Sequence, residues 1–178
     1  SRPEAAELAA CAALMALARG HEATVHVVHV GTAAAAELVA RSGGSCETCA
    51  HYLAFSRGDF ADKGAALKTA PPVKSAAERE RLWALLASGI VSFATSDHAP
   101  AQPEEKHGRD AWSAYGGIPG VGTTLPFLLS EGWLKGNLSL PRLLEASGGA
   151  QAARFGLAAR KGSLALGTDA DLVLFDPK

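Results

Sequence analysis

The sequence has no excess of charge of either sign, no long apolar run and no even set of cysteines. Each absence closes off a class of protein. With 17 Lys+Arg against 18 Asp+Glu, the formal net charge is −1, without the basic excess expected of a protein that binds nucleic acid or a membrane surface. No segment approaches the roughly 18 consecutive apolar residues that span a bilayer. The Ala-rich opening, residues 4–18, is interrupted by Glu4 and Glu7 and closed by Arg19-Gly20, which reads as a helix end and not as a signal-peptide core. Three cysteines in 178 residues do not make a disulfide framework, so a reducing, cytoplasmic setting is expected. No G-x-G-x-x-G follows an early strand, which argues against a doubly wound dinucleotide-binding sheet.

What is present is enough apolar material, 48% of residues, for one sizeable core. Residues 3–19 read as a helix with Pro3 in its first turn. TVHVVHVG, 24–31, is β-branched and apolar on both faces, as in a strand buried within a parallel sheet. A helix at 33–42 and a second strand at 44–50 follow, then a loop holding Gly58, Asp59 and Asp62. Pro71-Pro72 excludes helix from LKTAPPV. Residues 75–89 form an amphipathic helix with Ser75 as N-cap, Glu78 three residues on and Gly89 as stop. IVSFAT, 90–95, is a third buried strand, and a polar loop with Pro100, Pro103, Gly108 and Gly116-Gly117 runs to about 118. Helices at 121–132 and 139–155 precede a tail that reads as two short strands around a Gly-Thr-Asp turn. Helix–strand alternation of this kind predicts an α/β fold with a parallel sheet and right-handed crossovers. A (β/α)₈ barrel needs about 250 residues, so these three strands suggest the last part of one.

In such folds the chemistry sits at the C-terminal ends of the strands. His29 on the first strand, His51 just past the second and Asp97-His98 past the third converge on that rim. His26 and His29 lie an odd number of residues apart and point to opposite faces of an extended strand, so they do not share a metal. His29, nearer the strand end, is the better ligand candidate. Each residue also has a plain reading: a strand histidine hydrogen-bonded in the core, or Asp97 as a turn or capping residue. HAPAQP after it is a poor helix start, which weakens the capping reading. CETCAHY, 46–52, contains Cys-x-x-Cys, but no second ligand pair for a zinc knuckle. Its cysteines fall on one strand, facing opposite sides, and read as small core residues.

At TSDHAP the chain resembles the cyclic amidohydrolases: allantoinase, dihydropyrimidinase/hydantoinase and dihydroorotase. Five segments carry the resemblance in order: SRPEAAE (1–7), VHVVHVG (25–31), ETCAHYL (47–53), LKTAPPVK (67–74), and TSDHAP (95–100) leading to YGGIPGV (115–121). The resemblance implies residues 1–158 as about strands six to eight of a metal-dependent (β/α)₈ barrel, and residues 159–178 as the start of a small β-sandwich. It also implies two divalent ions, zinc in type, bridged by hydroxide and by a carboxylated lysine that is not in this chain. His29 then corresponds to a metal ligand. Asp97 corresponds to a metal ligand and to the general base that takes the proton as hydroxide attacks the amide carbon. His98 corresponds to support behind the ligands, with Ala70, Gly116 and His51 near substrate. The implied partner is a small cyclic amide or ureide, in an enzyme that is commonly a homo-oligomer.

Allantoin is the expected substrate type, with dihydroorotate as the nearest alternative and hydantoin the third. The dihydroorotase pattern places Asn before Pro-Pro and His after DHAP, where this chain has Ala70 and Ala101. Lys74 stands where an arginine is usual, Gly31 for serine and Ala50 for proline; Trp83, Trp112, Trp133 and Phe155 are assigned to packing. A barrel-like scaffold kept for assembly is the reading from a different class, disfavoured by the presence of His29 and Asp97. Neither His-x-His nor the bridging lysine can be placed in these residues. The purified 178-residue chain is therefore expected to self-associate through its first strand and to turn over neither allantoin, hydantoin nor dihydroorotate. A monodisperse chain with hydrolytic activity would contradict the partial-barrel reading.

Overall fold

A computed structural model describes residues 2–106, 110 and 112–177. Ser1 of the SRPEAAE segment, Gly108 of the predicted polar loop and Lys178 at the end of the predicted tail lie outside the described residues. Three strands, β1 (His26–Val27), β2 (Ser45–Cys49) and β3 (Phe93–Thr95), form a parallel sheet in the order β1-β2-β3. The crossovers are α2 (Ala33–Arg41) and, after α3 (Ala50–Ala54), a run of short turns that includes α4 (Phe60–Lys63), then α5 (Ala76–Ser88). The predicted loop with Gly58, Asp59 and Asp62 is thus largely helical turns, the first held by Asp59 Oδ2, which accepts from Ser56 N at 2.7 Å and from Ser56 Oγ at 2.9 Å. LKTAPPV is non-helical, as its prolines require.

Helix α1 (Glu4–Gly20) lies against α2, which also packs on α5 and β2. Ala33, Ala35 and Ala36 are fully buried, and side chains this small let three elements close on one helix. Ser75 caps α5 by accepting from Glu78 N at 3.2 Å, and Gly89 ends it at φ 85, a conformation in which a Cβ is penalised. Glu78 does not complete the expected box. Its buried carboxylate reaches the first turn of α2, where Oε2 accepts from Ala33 N at 2.7 Å while Oε1 pairs with Arg81 at 2.7 Å. A carboxylate at a helix N-terminus meets unsatisfied N–H groups and the positive end of the dipole.

The two edges of the sheet differ. Beyond β3, Arg142 donates to Val91 O and Ser92 O, both at 2.8 Å, and Gln151 donates to Ala94 O at 2.7 Å. Those side chains come from the last helical stretch, α8 (Leu140–Leu144) through a π-helical turn into α9 (Ala150–Arg154). Before it, α7 (Thr124–Phe127) continues as a π-helix to Leu134. Beyond β1 no described strand pairs, so the expectation of a strand buried on both faces is corrected: β1 is two half-buried residues and Val28 is 47% exposed. A strand without a neighbour keeps neither its ladder nor its burial.

Two further expectations change. HAPAQP does enter a helical turn, since α6 (Pro103–Lys106) begins at its last proline, where a missing N–H is harmless. The tail forms no strand among residues 159–177; Thr168 N closes a turn on Ala165 O at 3.2 Å, and Leu164, Leu166 and Leu174 are exposed. Extended chain becomes sheet only with a partner backbone. Trp83 is core and Trp133 packs against it; Phe155 sets one edge of its ring against Phe93 at 6.1 Å and is otherwise 60% exposed, but Trp112 is 94% exposed, so packing does not hold for Trp112. Replacing Glu78 by Ala is expected to lower stability by about 2 kcal/mol, from the loss of a charge-assisted bond. Ser75→Ala should cost about 1 kcal/mol; urea denaturation midpoints rank the two.

Candidate active site at the strand ends

His29 and Asp97 each lie two residues past a strand, and each has φ 43. A non-glycine residue in this left-handed region costs roughly 1–2 kcal/mol, and such outliers cluster where a chain must aim a side chain. The turn at His29 is held by two hydrogen bonds: Val30 N donates to Glu47 O at 2.8 Å, and Gly31 N donates to Glu7 Oε1 at 2.7 Å. Regular strand ends at Val27, so period-two alternation does not reach His29. The separation from His26 stands for another reason. His26 is committed elsewhere, with Nδ1 2.8 Å from Ser45 Oγ, Nε2 2.9 Å from Glu47 Oε2, and its ring stacked on Phe93 at 5.1 Å.

His51, the second residue of α3, is 4% exposed, and its Nε2 is buried without a hydrogen-bond partner among the described residues. Burial pushes the imidazole down to about 4, against a smaller upward pull from Asp97 and further downward pushes from His29 and Lys106. These couplings place His29, Asp97 and Lys106 in its electrostatic surroundings. Cys49 Sγ, His51 and Asp97 offer ligand atoms all within 4.8 Å of one another. A buried neutral imidazole with a free nitrogen, beside a carboxylate, fits a divalent cation such as zinc.

The other candidates frame this centre. His98 Nδ1 accepts from Gly120 N at 3.0 Å and Val121 N at 3.2 Å, and its backbone bridges Ile118. It pins the GGIPG loop while its neighbour Asp97 enters the cluster. Gly120 is needed there because a Cβ would stand 2.8 Å from Ser96 O. Ala70 and Gly116 are both exposed and are brought near each other through their neighbours, Gly117 N donating to Lys68 O at 3.0 Å. Lys74 is buried, with Nζ 3.7 Å from Glu7 and 3.4 Å from Arg2 O. It ties α1 to the rim by one point contact, so the bidentate contact open to an arginine is absent. His29 also lines a cleft of about 250 Å³ between α1 and β1 with Glu7, Cys11 and Lys74.

Sequence reasoning missed several of these roles. Cys46 and Cys49 do face opposite sides, Cys46 Sγ near Ile90 O at 3.8 Å and Cys49 Sγ near Thr95 Oγ1 at 3.9 Å. Burial pushes Cys46 up to about 12 and raises Cys49 as well, which argues against a low-pKa redox pair. Yet Cys49 is more than a small core residue, since it shares the cluster with His51 and Asp97. Glu47 is buried with Oε1 accepting from Thr95 Oγ1 at 2.8 Å. Lys106 is buried with Nζ donating to Ala66 O at 2.7 Å, and Lys68 Nζ donates to Ala114 O. Alternation along ETC is a signal that puts Glu47 and Cys49 on one face, but it does not mark either as a site residue, and nothing local marks the lysines.

No protein-family model matches the chain. It is 45% identical over 181 residues to an allantoinase of Solibacter usitatus, covering 99% of this chain and 39% of that protein. A dihydroorotase of Halobacterium salinarum is 41% identical over 155 residues, 87% of this chain and 36% of the relative. Among solved structures, an L-hydantoinase (dihydropyrimidinase) from Arthrobacter aurescens superposes with a TM-score of 0.92 at 34% identity, covering 95% of this chain and 39% of that one. The chain belongs to the cyclic amidohydrolase family, and its match falls in the C-terminal part of the relatives. It spans about two fifths of the length of the curated relatives it matches, with allantoinases among those at 40% identity or above.

His51 generates a pH dependence. Its folded value near 4 lies below the ordinary 6.5, so the unfolded chain binds a proton that the folded chain refuses. In the chelator-treated chain, stability is expected to be full above about pH 6.5 and to fall as pH drops towards 4, by on the order of 3 kcal/mol in all. His51→Gln should remove this component from denaturation measured across that range.

Proposed function

We propose that this chain supplies the C-terminal barrel portion, about strands six to eight, of a metal-dependent enzyme that hydrolyses a cyclic amide of the allantoin type. In this reading residues 1–158 belong to the barrel and 159–178 to the start of a β-sandwich that packs beside it. The observation that carries it is the meeting of Asp97 with His51 and His29 at the C-terminal ends of parallel strands, in a chain related to cyclic amidohydrolases. His29 and Asp97 would hold a divalent metal, with further ligands from outside these residues. Such an ion, when bound, polarises an amide carbonyl and makes water more acidic.

The chain's own residues perform the remaining work. Asp97 accepts the proton of the attacking water as the C–O bond forms and returns it to the leaving nitrogen as the C–N bond breaks. Its backbone at φ 43 and the loop pinned by His98 hold the carboxylate in place, so little ordering is left for the moment of reaction. Exposed main chain at Ala70 and Gly116 faces the substrate's imide edge. Main-chain groups there leave recognition to N–H and C=O positions and not to side-chain charge, which suits a neutral ureide. The side chains of Ala70 and Ala101 offer no partner for an orotate carboxylate. Hydantoin is the second reading, favoured by the close superposition on an L-hydantoinase.

In the enzyme that carries these residues, Asp97→Asn is expected to lower kcat by about 10²–10⁴-fold, and His29→Ala to lower bound metal measured by elemental analysis. Allantoin should be turned over faster than hydantoin or dihydroorotate in a substrate panel. Preference for dihydroorotate would reject the allantoin assignment, and an unchanged Asp97→Asn enzyme would reject the base.

A further inference from the structure

We infer that Cys49, His51 and Asp97 form a cation site for a thiophilic divalent ion such as cadmium, complete within this chain and distinct in its donor set from the His29–Asp97 pair. The inference shares Asp97 with the proposed catalytic reading and otherwise stands apart from it. Three observations carry it. The sulfur, imidazole and carboxylate donor atoms all lie within 4.8 Å of one another, close enough for one ion to touch all three after small side-chain rotations. His51 is 4% exposed, and its Nε2 has no hydrogen-bond partner among the described residues, which leaves one buried ring nitrogen uncommitted. Cys49 is fully buried, and among the described residues its sulfur makes one long contact, 3.9 Å to Thr95 Oγ1, so no strong bond has to be broken to engage it.

The placement follows from topology. Cys49 ends β2, His51 follows two residues on in α3, and Asp97 follows β3, whose Thr95 is paired with Cys49. Donors from two adjacent parallel strands therefore reach one level without help from any other part of a barrel. A mixed sulfur, nitrogen and oxygen set selects ions that accept thiolate, and disfavours magnesium and calcium, which take oxygen ligands. Binding converts the Cys49 thiol to a thiolate and releases one proton to solvent, so affinity rises with pH. In a working enzyme such an ion would occupy Asp97 and hold it from its proton-transfer role.

The test is cadmium titration of the purified, chelator-treated 178-residue chain, read by the thiolate-to-cadmium charge-transfer band in the ultraviolet. One ion per chain, one proton released per ion and no displacement by excess magnesium are expected. Cys49→Ser should abolish the band and weaken binding roughly tenfold or more, while Cys46→Ser and His29→Ala should retain it. No band in the unaltered chain, a band that survives Cys49→Ser, or a band lost in Cys46→Ser but kept in Cys49→Ser would overturn the site. Should Cys49→Ser fail to fold by circular dichroism, X-ray absorption on the unaltered chain decides. One sulfur with nitrogen or oxygen neighbours supports the site; two sulfurs or none rejects it. Failure of the catalytic reading is seen in turnover, which this titration does not involve.

Discussion

Parallel pairing of β2 with β3, which sets Cys49 opposite Thr95, brings two strands to an end at the same level and in the same direction. Everything that concerns the site depends on that register. It places Glu47 on the face it shares with Cys49 and Thr95, where its carboxylate accepts from Thr95 and pairs with His26. It also delivers the chain after each strand to one rim, where α3 carries His51 and the turn after β3 carries Asp97. A slip of one residue would send Glu47 and Cys49 to the helix-covered face and bring Cys46 and Thr48 inward.

Buried polar groups divide into two kinds. Glu78 and Lys106 are spent on structure, each bonded to backbone of a distant element, as is the half-buried Arg142. These bonds replace water around groups whose isolated burial is costly. His51 is the contrast, because its Nε2 is left open in the interior. A neutral imidazole tolerates this where an ion would not, and it remains available to a ligand. The left-handed backbone at His29 and Asp97 belongs with that second kind: local strain held by the surrounding fold, at positions from which side chains must leave the ladder direction.

Much of the fold was legible locally. Ser75, Glu78 and Gly89 bounded α5, the double proline excluded helix, and three apolar runs located three parallel strands. What was not legible depended on partners. The run 24–31 has the composition of a doubly buried strand, but only two of its residues pair, because burial is a property of neighbours. The tail has alternating composition and forms no strand among its described residues for the same reason. Trp112 and Phe155 are large and apolar by type, yet exposure was decided by the loop and the helix end that carry them. At the site, His29, His51, Asp97 and His98 could be nominated because histidine and aspartate at strand ends are chemically conspicuous. Cys49, Lys68 and Lys106 could not.

The sequence by itself therefore determined the periodicities, the caps and breaks, the alternation of helix with parallel strand, and the kinship to cyclic amidohydrolases. Those features are local or compositional, and short-range sterics and hydrogen bonding act on them directly. Only the tertiary structure decided which donors meet. Cys49 and Asp97 are far apart in the chain and become neighbours only through strand register. The burial that leaves His51 neutral and unpartnered comes from packing by several elements at once, and no single segment encodes it.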